Sequence, residues 1–379
     1  MRINVIVGIF LFGLSVGPRA LLAQGNKKIT IEITNTAPAD YKQELINIPW
    51  KDIVAIYPDI NTAFFKVIHG VTKKEIPFQL EYRGKSIVQN ILLQTDVAGN
   101  SSVKIYLQKG KPAPANPKTY CRYVPERKDD FAWENDKIAF RMYGKAIEGT
   151  RENAYGIDVW VKRTDRLILN ERYKKADYHV DHGDGLDYYH VGLTLGAGNI
   201  APYIDDSIFY SKNYREWKVL DNGPLRSTFQ LLFDEWNVAG RKLSMIKTVS
   251  LDAGSHLSRI EVSFNSGDSL PVVAGIVKRK EPGTILLNEQ DGIMGYWEPK
   301  HINNGTTGTG TIFLNPVVKM KVNNEHLLAQ STAVKDEPFV YYTGAAWDKA
   351  GLIIHSKDWF TYLQLFQQKL KQPLLVKLL

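Results

Sequence analysis

Cysteine is almost missing: Cys121 is the only one in 379 residues. A lone thiol closes no intramolecular disulfide, so an apolar core must hold the chain together. Long hydrophobic runs are missing as well. The longest near the start, Val5–Val16, is shorter than the roughly 20 residues a bilayer requires. With Arg2 ahead of it and Leu21-Leu22-Ala23 behind, it reads as a secretory signal over residues 1–23, cleaved after Ala23. No cysteine lies near that boundary, which argues against a lipoprotein anchor. A periplasmic or secreted protein with no membrane span after signal cleavage is expected. The formal charge of +8 is scattered, without the basic stripes of a nucleic-acid surface. A mild positive balance suits an anionic small substrate instead. The chain also lacks H-E-x-x-H and Gly-x-Ser-x-Gly, so neither a zincin nor an α/β-hydrolase elbow is present.

What is present is alternation. Ile29, Ile31 and Ile33 alternate with Thr30, Glu32 and Thr34; Ile138, Phe140 and Met142 with Ala139, Arg141 and Tyr143; Ile157, Val159 and Val161 with Asp158, Trp160 and Lys162; Ile260, Val262 and Phe264 with Arg259, Glu261 and Ser263. A period of two predicts strands with one buried face. Turn residues at Asn222-Gly223-Pro224, Asp252–Ser255 and Asn304-Gly305 separate them. The expected fold is mainly β: a large antiparallel β-sandwich preceded by a small β-sandwich, with a C-terminal helix. Trp359, Leu363, Phe366 and Leu370 set that helix, with Ser356 as cap and Pro373 as stop. KGKPAPANP at 109–117 reads as a linker. It divides the chain into a small domain at 24–108 and a large domain at 118–379.

The densest chemistry lies in YHVDHGDGLDYYH, residues 178–190, which holds three of the eight histidines. His179, Asp181, His182, Asp184, Asp187 and His190 admit three readings. One is acid–base chemistry in a sugar cleft. Another is a divalent metal at His179, Asp181, His182 and Asp184, although no cofactor is the primary expectation. The third is a hydrogen-bond network that ties down a loop. Arg141 and Tyr143 share one face of their strand, and Arg226, Thr228 and Gln230 share one face of theirs. Each pair of faces is either solvated or lines a cleft, where guanidinium would suit a carboxylated sugar. Gly305, Gly308 and Gly310 lead into a strand, which argues against a phosphate loop. Trp133, Trp160, Trp217, Trp236, Trp297 and Trp347 read as core more readily than as sugar platforms.

Several runs carry a resemblance: RYVPERKDDFAWENDKIAFRMYGKA (122–146), GIDVWVKR (156–163), DHGDGLDYYHVGLTLGAG (181–198), YSKNYREWKVLDNGPLR (210–226) and LDAGSHLSRIEV (251–262). From Gln24 to Pro373 the chain resembles a bacterial family of domains of unknown function encoded in polysaccharide-utilisation loci. One branch is similar to oligosaccharide dehydratases of ulvan breakdown. That resemblance implies elimination of water from a terminal uronic acid of an anionic oligosaccharide. A base takes the C5 proton, a cation neutralises the carboxylate, and an acid helps the C4 hydroxyl depart. His190 or His182 would be the base, Tyr143 or Tyr189 the acid, and Arg141 or Arg226 the cation, with Tyr188 and Trp297 also against substrate. A polysaccharide lyase, cleaving the chain by the same kind of elimination, belongs to this reading, and two alternatives stand beside it. A glycoside hydrolase would draft its carboxylates from Glu134, Asp184, Asp187 and Glu298. An oligosaccharide-binding protein would perform no chemistry.

Overall fold

The computed structural model describes residues 28–175 and 177–379. The expected signal segment, residues 1–23, lies outside the described residues. Among them, no helix is long and apolar enough to cross a membrane.

The N-terminal unit stacks two antiparallel sheets. One holds the strands Leu375–Leu378, Lys28–Asn35, Ser101–Lys109 and Phe65–His69, in that order; the other holds Tyr41–Pro49, Asn90–Val97 and Phe78–Glu81. Ile29, Ile31 and Ile33 fill the space between them together with Ile91, Leu93, Ile105 and Leu107. The sequence reading gives everything after residue 117 to the large sandwich, and the structure corrects this at the chain's end. The last strand joins the small sandwich, pairing Ile31 with Leu378 and Ile33 with Val376. Pro373 ends the helix, and the tail then covers what would be an open strand edge. The 109–117 segment makes no regular structure but is held: Ala113 donates to Glu75 at 2.6 Å.

The large sandwich has an eight-stranded sheet as one layer. From one edge to the other it runs Glu216–Asn222, Arg226–Val238, Arg241–Asp252, Leu257–Phe264, Phe339–Trp347, Thr307–Phe313, Ile293–Trp297 and Thr284–Asn288. Two five-stranded sheets make the opposite layer, joined by a bridge between Ile157 and Gly196. The strands nearest the candidate chemistry are Gly185–Asp187, Asp158–Lys162, Ala139–Met142, Asp130–Asn135 and Thr119–Val124, in that order. Phe140, Met142, Val159 and Val161 face Phe229, Leu231, Val249 and Ile260 in one continuous core. Phe131 stacks on Phe229 across the layers at 4.2 Å. Trp133, Trp160, Trp236 and Trp347 are buried, whereas Trp217 is exposed. Cys121 is buried, and burial pushes its thiol up to about 12, so it is inert.

The helix Ser356–Lys371 buries Trp359 and Leu363. Its cap is His355 rather than Ser356: the imidazole accepts from the backbone of the first turn, and Asp358 returns a bond to the His355 N–H at 3.0 Å. Glycine makes the helix's seat. A Cβ at Gly310 would lie 2.6 Å from Leu363, and one at Gly308 would lie 2.9 Å from Trp359. The glycines of NNGTTGTGTIF thus serve close helix–sheet packing, not a phosphate. Gly310→Val is expected to cost about 1–3 kcal/mol through overpacking. Thermal melting checks this, with a red-shifted tryptophan emission as Trp359 leaves its seat.

Candidate functional site

Strand alternation puts Arg141, Asp158, Trp160, Asp130 and Asp187 on the face of the five-stranded sheet that points away from the core. Register then sets the neighbours: Arg141 lies opposite Asp158, and Trp160 opposite Asp187. This face is not solvated. The helix Leu169–Tyr173 and the following loop cover it, with Tyr173 and Tyr178 packed on Trp160 at 4.9 and 5.1 Å. Beneath that cover, Arg141 contacts Asp158 at 2.5 Å, Asp187 at 3.0 Å and Asp130 at 3.3 Å, and Tyr143 donates to Asp158 at 3.0 Å.

One guanidinium cannot compensate three buried carboxylates, so part of the charge is removed by protons. Burial, then the Asp158 carboxylate, pushes Asp187 up to about 8, against the pull of Arg141. Burial pushes Asp130 up to about 7. The ion-pair geometry alone would favour ionised Asp187; burial and like charge outweigh it. Between its ordinary value of about 3.9 and about 8, the folded Asp187 keeps a proton that the unfolded chain has released. Its contribution to stability therefore falls as pH rises through that window. Asp187→Asn is expected to gain stability relative to wild type between about pH 5 and 8 and to converge with it at acid pH. Denaturant titrations across pH check this; a difference independent of pH contradicts it.

The segment 185–190 divides two environments. Asp187 turns toward Arg141, and Tyr188 turns the other way. The Tyr188 hydroxyl bonds Thr307 Oγ1 at 2.6 Å, and its ring lies 5.6 Å from that of His301. Tyr189 packs in the core with Arg279 4.7 Å from its ring. His190 is exposed, but its carbonyl accepts from Arg279 Nη1 at 2.6 Å. Arg279 Nε meets Glu298 at 2.8 Å. Among the described residues, Nη2 of Arg279 has no protein partner. Burial pushes Glu298 up to about 7, partly offset by Arg279, so its carboxyl holds a proton for much of the time near neutrality. Burial also raises the Tyr188 phenol, with Glu298 and Asp348 adding to the rise and Arg279 opposing it. Tyr188, Glu298, Arg279 and the exposed imidazole of His301 form the more open of the two clusters, and His190 joins it through its carbonyl.

Other candidates are dispersed. Arg226 lies on the opposite outer face of the sandwich from Arg141, so the two cannot grip one ligand. It is held by Asp252 at 2.5 Å and Glu81 at 3.3 Å. His182 is exposed, with Nε2 3.2 Å from the Asp177 carbonyl. His179 places Nδ1 2.8 Å from the Asp187 carbonyl. Asp181 is taken by the Gly183 and Gly185 N–H groups and by Arg163, and Asp184 pairs with Arg172. The four residues of the alternative metal reading therefore do not converge, and among the described residues no group of three or more ligand side chains is placed to hold a metal. Glu134 pairs with the buried Lys162 at 2.6 Å. Trp297 packs against Gly308 beneath the C-terminal helix. Sequence reasoning did not select Asp130, Asp158, Arg279 or His301. The signal for Asp158 was present, since it alternates with Val159. Arg279 and His301 lie in irregular stretches that carry no period.

The comparisons agree with this architecture. The chain matches the family described as "Domain of unknown function (DUF4861)" over residues 33–376. It is 34% identical over 313 residues to the uncharacterized protein P7 of Formosa agariphila, covering 76% of this chain and 78% of that protein. In fold it is similar to a glycosyl hydrolase family 38 protein from Enterococcus faecalis, with a TM-score of 0.52 at 10% identity, covering 93% of this chain and 47% of that one. An alpha-mannosidase from Enterococcus faecalis V583 gives 0.50 at 10% identity, over 93% and 46%. The chain thus spans about half the length of those solved structures, and at this identity the likeness is one of fold. A family match running from the first strand of the small sandwich to its last places this chain in the DUF4861 domain family.

Proposed function

We propose that this protein is a carbohydrate-active enzyme of polysaccharide breakdown that removes water from a terminal uronic acid of anionic oligosaccharides. The observation that carries the reading is the Tyr188–His301 contact beside Arg279. Elimination needs a cation for the carboxylate, a base for the C5 proton and an acid for the departing C4 hydroxyl. Arg279 supplies the cation through Nη2, and a Glu298 that is partly protonated leaves net positive charge to offer. The exposed His190 takes the proton, because Nδ1 of His301 already accepts from the Asn303 and Asn304 N–H groups and leaves its Nε2 a donor. Tyr188, its phenol raised by burial, keeps its proton at neutral pH and gives it to the leaving hydroxyl. The C5–H and C4–O bonds break, a C4=C5 double bond forms, and water departs. The Arg141 cluster, already crowded with carboxylates, holds the segment from which Tyr188 projects instead of receiving a substrate carboxylate. Export to the periplasm or beyond, as residues 1–23 lead us to expect, would put the enzyme where imported or extracellular glycan is processed.

Reducing the terminal carboxylate of the substrate to an alcohol tests this. It removes both the partner of Arg279 and the acidity at C5, so turnover should vanish. Unchanged turnover on the reduced sugar overturns the reading. A second reading, glycoside hydrolysis, is favoured by the same Glu298, because a carboxyl raised to about 7 is the form a general acid needs. New reducing ends without ultraviolet absorbance would select it.

A further inference from the structure

We propose that the cleft between the C-terminal helix, the outer face of the eight-stranded sheet and the N-terminal sandwich is a second saccharide site, one that takes an uncharged sugar segment. The cleft measures about 520 Å³, within the range of roughly 300–1,000 Å³ usual for small-molecule sites. A sugar ring presents an apolar C–H face and a rim of hydroxyls. It therefore needs an aromatic wall together with fixed polar groups.

Both are here. Tyr342 and Phe366 meet at 5.1 Å and 63°, making an aromatic corner between sheet and helix. Strand register puts Arg259 directly opposite Tyr342, and both side chains line the cleft. His256, 7% exposed, is the buried polar group. Its Nδ1 lies 3.0 Å from the Ala345 carbonyl, which only accepts, so the proton sits on Nδ1. Nε2 is then an acceptor, and among the described residues it has no protein partner. A sugar hydroxyl supplies the missing donor.

Charge pairing selects the ligand class. Every cation lining the cleft already has a carboxylate partner: Arg226 with Asp252 at 2.5 Å, Lys369 with Glu44 at 2.6 Å, Lys42 with Asp40 at 3.2 Å, Lys137 with Asp136 at 3.5 Å, and Arg259 with Glu261. Such pairs donate and accept without leaving a cation unpaired, which favours neutral hydroxyls over an anion. The site thus differs from the Arg279 cluster, which has a free guanidinium edge. Because its walls come from both sandwiches and the helix, an occupant ties all three together.

The proposal rests on the carbohydrate reading only for the class of ligand. Titration calorimetry of the full chain with maltotriose, cellotriose and xylotriose tests it, with thermal melting alongside. At least one neutral trisaccharide should bind and raise the melting temperature. Tyr342→Ala and Arg259→Ala should each weaken that binding by about tenfold or more, a change of about 1.4 kcal/mol, while Tyr188→Phe leaves it unchanged. Absence of binding by all three, or binding indifferent to both substitutions, overturns the proposal. The probes carry no uronate, so binding that depends on Tyr342 would survive a failure of the elimination chemistry, and the two readings fail separately.

Discussion

Tyr188→Phe is expected to lower kcat by about 10²–10⁴-fold, the usual worth of one positioned proton transfer, with KM and melting temperature nearly unchanged. The ring stays in place because its packing does not depend on the hydroxyl. Only the proton that would follow the C4 oxygen is lost, together with the 2.6 Å bond to Thr307. His190→Ala should fall in the same range, whereas His301→Ala should fall less, since His301 offers a donor Nε2–H and no free lone pair. His182→Ala should leave turnover intact, since the exposed imidazole meets only the Asp177 carbonyl. Full turnover by Tyr188→Phe would remove this phenol from the chemistry.

Arg141→Met is expected to be the most damaging single change to folding. Breaking a buried ion pair from one side typically costs about 3–5 kcal/mol, because an uncompensated charge is left behind. Here three carboxylates, Asp130, Asp158 and Asp187, lose their shared cation at once. Protonation softens the loss at low pH, since Asp130 and Asp187 already lean toward the neutral form. The loss relative to wild type should therefore be smallest at acid pH and grow as pH rises. Adding Asp158→Asn to Arg141→Met should recover part of the loss by removing one stranded charge. A wild-type denaturation midpoint in Arg141→Met would mean that the cluster contributes nothing to the fold.

The two largest effects fall on adjacent environments that sequence reasoning separated only in part. Alternation correctly put Phe140 and Met142 on one face and Arg141 on the other, because a pleated strand leaves no choice. It could not tell whether the Arg141 face meets water, since the cover comes from the short helix Leu169–Tyr173 and the irregular loop after it, which carries Tyr178. The segment 178–190 stood out by composition, yet its histidines are mostly at the surface and its aspartates are individually tied down. The useful feature was the alternation of Asp187 and Tyr188, one for each cluster, and composition does not reveal direction. The helix was legible from Trp359 and Leu363, but its cap was not, because His355 seldom fills that role. The closing strand Leu375–Leu378 was invisible: its partner Lys28–Asn35 lies at the other end of the chain, and no local pattern encodes a pairing of that span.

The most direct test is mass spectrometry of uronate-terminated oligosaccharides after incubation with the purified protein, read together with ultraviolet absorbance of the products. The account predicts loss of one water from the intact oligosaccharide, with the absorbance of a conjugated 4,5-unsaturated uronate and no new reducing ends. Chain cleavage without that absorbance, or an unchanged substrate that is still bound, would contradict it.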